Sequence, residues 1–387
     1  MICLGPWFSI YIGNRGIRPC CLWSQKNNRN KWKTAGDIEQ IWNGPEMKNA
    51  RRKFLAGEMP DECTICSKRI ISRKTWLDNK IGKYASKEGL GVNAELKPLQ
   101  VDFQLGNKCN LQCRTCGSWG SSNWKKDDEL LREANTEFMR FPLSDYKLDV
   151  SQFKDSKEMF SNLVRFDFKG GEPMLHDSMI EMIENLIEWG NAPNITLAYI
   201  TNGSLINEKV VKLWSHFKEV RIIISIDGIE DLFSYIRGYD FNRLEKNLYR
   251  YDQIENLKGL YNMTVSVYNI LDLAEINNWI MTRNLKRFPC LSSGNEQGFE
   301  NNVLSPPYLD VTILPKKYKR MALERIHKYN HPNILELGKW VESIQDIPSN
   351  DHQLKLFVSF TKMMDIKRGT DFLKVKPEFK ELFEEYS

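Results

Sequence analysis

Three cysteines stand close together in the stretch CNLQCRTC, where Cys109, Cys113 and Cys116 are separated by three and then two residues. Thiolates are the soft ligands that hold iron–sulfur clusters and structural zinc. A loop that curls three of them around a small volume suits a four-iron cluster in which one iron lacks a protein ligand and stays open for chemistry. Zinc closed by a distant fourth ligand is the alternative that these residues leave open. Of the nine cysteines, five more crowd the start of the chain (Cys3, Cys20, Cys21, Cys63 and Cys66) and Cys290 stands alone. The opening MICLGPWFSIYIGNRG lacks a basic flank and a small-residue cleavage site, so a reducing, cytoplasmic setting is expected. There, clustered cysteines read as metal ligands or catalytic groups before disulfides, and a lone one such as Cys290 as a small buried hydrophobe.

Three later groups carry complementary chemistry. In Gly170-Gly171-Glu172-Pro173, two glycines let a ligand come close to the backbone and a carboxylate beside them can hold an ammonium group. Thr201-Asn202-Gly203 and Ser225-Ile226-Asp227-Gly228 offer hydroxyl, amide and carboxylate partners for a ribose or an amino-acid end. Singly these are common turn sequences. Each, however, follows an apolar run of period two, and that shared placement raises them together.

The elements that must position them repeat along the chain. Alternating apolar residues at 101/103/105, 164/166/168, 195/197/199, 220–226, 263/265/267 and 309/311/313 predict six strands. The segments between them are of crossover length, which implies parallel βαβ units and an α/β barrel, complete or partial, with chemistry at the C-terminal strand ends. A helix is expected over 178–189, started by a Ser178/Glu181 capping box and stopped at Gly190, with His176 just before it making a cap contact. Trp119 and Trp124 are expected to shield the cysteine loop. Residues 1–75 read as a small Cys-rich lobe containing a β-hairpin around GNRG, 76–98 as a connector, 99–315 as the barrel, and 316–387 as a helical extension.

The whole chain has 387 residues, 41% hydrophobic and 27% charged, which suits a folded protein with a large core and excludes both wholesale disorder and a disulfide-stapled minidomain. Its net charge of +5 is spread without a basic block, giving no footprint for nucleic acid or a lipid surface, and no run of eighteen apolar residues predicts a membrane span.

CNLQCRTC, FKGGEP, YITNG and SIDG, in this order and on these strands, resemble the radical S-adenosylmethionine (SAM) superfamily over about residues 99–315. The resemblance implies a partial (β/α)6 barrel of TIM type. Cys109, Cys113 and Cys116 would hold a 4Fe-4S cluster whose open iron takes the amino and carboxylate groups of SAM. Gly170, Gly171 and Glu172 would bind the methionine amino group, and Asn202, Ser225, Asp227 and Arg237 would contact ribose and carboxylate. The implied reaction is reductive cleavage of SAM to a 5'-deoxyadenosyl radical, which takes hydrogen from a peptide, a protein, or a small alcohol or sugar. Its electron comes from an external donor such as flavodoxin or ferredoxin. CLGPW, GIRPCC, IWN and CTIC are in turn similar to a twitch or SPASM auxiliary segment, implying a second 4Fe-4S cluster on Cys3, Cys20, Cys63 and Cys66 with Cys21 spare. Those four cysteines by themselves also suit a zinc ribbon. Substrate is expected at the C-terminal mouth of the barrel, between the SAM pocket and the N-terminal lobe. The competing function is a non-catalytic iron–sulfur or zinc protein that binds or relays electrons.

Overall fold

The computed structural model describes residues 3–13, 16–24, 36–63, 66, 73–138, 146–291, 306–329 and 332–387. Its centre is a seven-stranded sheet in the order β2-β1-β3-β4-β5-β6-β7. The strands are β1 (Ser9–Gly13), β2 (Gly16–Arg18), β3 (Gln100–Gln104), β4 (Arg165–Lys169), β5 (Thr196–Thr201), β6 (Glu219–Ser225) and β7 (Leu257–Asn262). Only β1–β2 is antiparallel; β1 and β3–β7 run parallel. The sheet is an open, mixed α/β structure with β2 and β7 at its edges, and the C-terminal part is helical.

Alternation along these strands separates two chemistries. Phe103, Phe166, Phe168, Leu197, Tyr199, Ile222 and Ile224 point into one continuous core shared with Ile183, Leu186, Val210 and Trp214 of the covering helices. The intervening residues line the other face, and the register places Tyr11, Asp102, Asp167, Ala198, Arg221 and Lys258 side by side across six strands. A parallel sheet buried on both faces would be apolar on both. Here one face is charged.

Four of the expected runs form strands where the alternation lies. The run at 263/265/267 does not: pairing between β6 and β7 ends at Ser225 with Asn262. Beyond it the backbone is held by side chains, with Thr264 N–H donating to Asp227 and the Asn269 amide donating to the carbonyls of Asp227 and Thr264. The run at 309/311/313 forms two 3-10 turns, Pro307–Leu309 and Val311–Ile313, the second capped by Asp310, so its alternation reports burial of turn residues. The sixth parallel strand is instead β1. The N-terminal hairpin forms as expected, but β1 also pairs with β3, so this part of residues 1–75 shares the sheet.

Helix Asp177–Glu188 starts one residue early, with His176 at its N-cap and no side-chain cap; Ser178 Oγ has no hydrogen-bond partner, so the capping box does not form. Gly190, at φ +84°, follows its end, as the sequence predicts. After Pro315 come helices Lys316–Ile326, Pro332–Ser343 and Asp351–Arg368, joined by an aromatic cluster that includes Phe357, Phe372, Phe379 and Phe383. Among the described residues no helix is long and apolar enough to cross a membrane.

Because Ile12 of β1 is fully buried in the main core opposite Phe103, Ile12→Ala is expected to lower stability by about 2–5 kcal/mol. Urea denaturation followed by circular dichroism checks this; a loss near zero would mean that β1 is not integral to the sheet.

Candidate active site

The cysteine loop leaves the C-terminal end of β3 and is bound at once to the turn after β4. Gly171 N–H donates to Gly106 O and Glu172 N–H to Lys108 O, both at 2.8 Å. A Cβ on Gly171 would lie 2.2 Å from Lys108 O, and one on Gly170, at φ +156°, 2.8 Å from Gly106 O. The glycine pair therefore serves a close backbone approach, and what approaches is the cysteine loop itself. Within the loop, Cys116 N–H donates to Cys113 O at 2.9 Å, and the indole of buried Trp124 donates to the same carbonyl at 2.9 Å. Trp119 is 39% exposed, so the expected shielding falls to Trp124.

Two arginines, one fully buried and one partly buried, pin the loop to elements far away in sequence. Arg114, fully buried, donates its backbone N–H to Ile236 O and its Nε to Tyr235 O, stacks 3.9 Å from the Tyr235 ring, and pairs with Asp365 at 2.6 Å. Arg368 donates to Gln112 O at 2.7 Å and pairs with Asp127 at 2.8 Å while lying over Trp124. Asp365 and Arg368 both come from helix Asp351–Arg368. The sequence carries no local sign of this role, since both are ordinary charges in a Lys/Glu-rich tail.

Arg237 faces the thiols from the other side. Its Nη1 donates to Cys113 Sγ at 3.3 Å, and its Nε lies 3.3 Å from Asp227 Oδ2, a contact of charge without hydrogen-bond alignment. Nη2 is buried without a hydrogen-bond partner. Burial opposes its charge, yet Asp227, Cys113 and Cys116 hold the guanidinium above its ordinary range. Burial pushes the Cys109 thiol up to about 11, against the Leu111 amide and the Arg237 charge, which lower it. Arg237 is thus coupled to all three thiols. The Asn202 amide points at Cys109 Sγ, 3.8 Å away, and donates to Asn110 at 3.0 Å. A set of three thiols facing N–H donors and one buried cation fits a group that requires thiolates.

The carboxylate of Glu172 is fully buried and turned toward β5. It accepts from Thr201 Oγ1 at 2.8 Å, Met174 N–H at 3.2 Å and Asn202 N–H at 2.8 Å. Burial raises its pKa, while those three donors lower it. Its side chain organises the Thr-Asn-Gly turn. Asp227, also fully buried, caps the backbone after β7 through Thr264 N–H at 2.8 Å, and Ser225 is partly buried at the end of β6. His176 is buried with Nε2 unpartnered, and Cys290 is partly buried near the end of β7, where its carbonyl accepts from Tyr261 N–H.

At the N-terminus, burial raises the Cys63 thiol to about 12, and the charges of Cys3 and Cys66 add to the shift. Cys3 Sγ and the carbonyl of Pro19, which precedes Cys20, flank Gly5 at 3.5 and 3.6 Å from its Cβ position. Among the described residues no group of three or more His, Cys, Asp or Glu converges as a site for a single metal ion.

Residues 103–273 match the radical SAM superfamily. They form a radical SAM domain. The chain is 30% identical over 170 residues to the uncharacterized protein MJ0907 of Methanocaldococcus jannaschii, covering 43% of this chain and 49% of that protein. It is 22% identical over 220 residues to the S-adenosylmethionine-dependent nucleotide dehydratase RSAD2 of Siniperca chuatsi, covering 54% and 55%. It is 23% identical over 188 residues to the antilisterial bacteriocin subtilosin biosynthesis protein AlbA of Bacillus subtilis, covering 44% and 37%. The chain therefore spans about half the length, or less, of these relatives. The radical SAM domain holds the cysteine loop, both glycines, Glu172, Asn202, Ser225, Asp227 and Arg237, whereas Asp365 and Arg368 lie outside it.

Removing Asp365 leaves the Arg114 charge buried without its counterion. Asp365→Ala is therefore expected to destabilise the protein by about 3–5 kcal/mol. Denaturant unfolding monitored by Trp fluorescence measures it; a change below about 1 kcal/mol, the range of exposed pairs, would show that the tail does not clamp the loop.

Proposed function

We propose that this chain is a radical SAM enzyme, with a 4Fe-4S cluster held by Cys109, Cys113 and Cys116 and SAM bound at the ends of β4, β5 and β6. The observation that carries this reading is a single loop of three thiols, faced by the buried Arg237 guanidinium 3.3 Å from Cys113 Sγ and by the Asn202 amide 3.8 Å from Cys109 Sγ. When bound, the cluster and SAM supply reductive cleavage of the C5'–S bond and hydrogen abstraction from a substrate. The chain's own residues bind and orient. Gly170 and Gly171 bring the β4 turn against the cysteine loop, Glu172 holds Thr201 and Asn202, and Gly170, Gly171 and Glu172 are assigned to the methionine amino group of SAM. Asn202, Ser225 and Asp227 are assigned to the ribose and carboxylate side of SAM, and Arg237, with Nη2 to spare, to the carboxylate. Burial of this set excludes water from the reacting centre. Electrons come from an external donor such as flavodoxin or ferredoxin.

Cys3, Cys20, Cys63 and Cys66 are proposed to hold a second, auxiliary 4Fe-4S cluster of the twitch or SPASM kind, supported by the resemblance of CLGPW, GIRPCC and CTIC to that segment. Similarity to AlbA supports a peptide as substrate and similarity to RSAD2 a nucleotide. Assays therefore include both classes.

After anaerobic reconstitution the chain is expected to carry about eight irons. With dithionite it should convert SAM to 5'-deoxyadenosine. Replacing Cys109, Cys113 and Cys116 together by Ala should leave about four irons and abolish cleavage. Cleavage that survives the triple replacement would refute the assignment, and about four irons plus one zinc in the unaltered chain would make the N-terminal site a zinc ribbon.

A further inference from the structure

Among the described residues the charged face of the sheet is left open. Against β4–β7 it encloses a cavity of about 430 Å³, within the size range of small-molecule sites. The cavity reaches Lys169 and Ile200, the residues just before Gly170 and Thr201, and so lies directly beneath the strand ends of the candidate site. It lies against β4–β7, on the side of the sheet away from β1 and β2.

Its lining has one carboxylate, Asp167, against the cations Arg165, Lys169, Arg221, Lys258, Lys286 and Arg287. Part of that charge is balanced. Arg165 pairs with Asp167 at 2.8 Å, Lys169 with Asp102, and Glu219 serves both Arg221 and Lys258. Lys286 and Arg287 form no ion pair among the described residues, and Arg287 Nε is buried there without a hydrogen-bond partner. Arg287 is fixed in place by its backbone N–H, which donates to Asp252 at 2.6 Å. An enclosed space with surplus positive charge and a buried, unmet guanidinium donor favours an oxyanion.

We propose that this cavity takes the substrate through an oxyanion, a phosphate or carboxylate carried by a small molecule. As the identity of the substrate this rests on the radical SAM reading above; as a binding site it stands on the cavity alone.

Isothermal titration of the full-length protein with inorganic pyrophosphate and, separately, with glutarate tests it. At least one probe should bind, more weakly as salt rises, and Arg287→Gln should weaken it at least tenfold. Lys286→Ala, at an exposed rim position, repeats the test should Arg287→Gln fail to fold. Binding of pyrophosphate alone assigns a phosphate ester, and binding of glutarate a carboxylate. Absence of binding by both probes, or equal affinity in both variants, overturns the site. SAM cleavage by the unaltered protein is measured in parallel: its failure with pyrophosphate binding intact would remove the radical SAM reading and leave the oxyanion site.

Discussion

A loop carrying three thiols within eight residues is under a constraint that little else in the chain shares. Thiolates repel one another and need cations and N–H donors, yet the loop is too short to supply them. Two buried guanidiniums meet that need from opposite directions. Arg237 brings charge to the sulfurs and is itself balanced by Asp227. Arg114 anchors the loop backbone to helix Glu230–Arg237 on one side and to Asp365 on the other. Because Arg114 and Arg237 meet the same helix, its position fixes both. Helix Asp351–Arg368 is thereby tied to the site although it lies outside the radical SAM domain.

The same economy explains Glu172. A carboxylate buried in an apolar surround is costly unless its oxygens are satisfied, and here three donors from two neighbouring turns satisfy them. The result is a strut between the β4 and β5 ends, with Asn202 carried by that strut to within reach of Cys109. Beneath these strand ends the sheet turns charged residues inward and aromatic ones outward. One face thus serves packing while the other is free to serve a ligand.

The cysteine loop, the glycine pair and the polar turns were legible in the sequence because each is local: spacing and residue type carry the information within a few positions. So were β3–β6, whose alternation coincides with their register. The run at 263–267 misled because side chains of Asp227 and Asn269 take over the backbone hydrogen bonding that a neighbouring strand would provide. The run at 309–313 misled because buried turn residues also alternate. The contribution of β1 to the parallel set was hidden by its hairpin with β2, which accounts for only one of its edges. Asp365 and Arg368 could not be read at all, being separated from their partners by more than two hundred positions.

The central claim is that three sulfurs of one loop hold a cluster that keeps a position for SAM. The most direct measurement is the electron paramagnetic resonance spectrum of the reduced, reconstituted protein recorded with and without SAM. The account predicts a cluster signal from the cysteine loop whose g values change when SAM is added and do not change when buffer alone is added. A signal indifferent to SAM, or a cysteine loop that holds zinc and gives no signal, would contradict it.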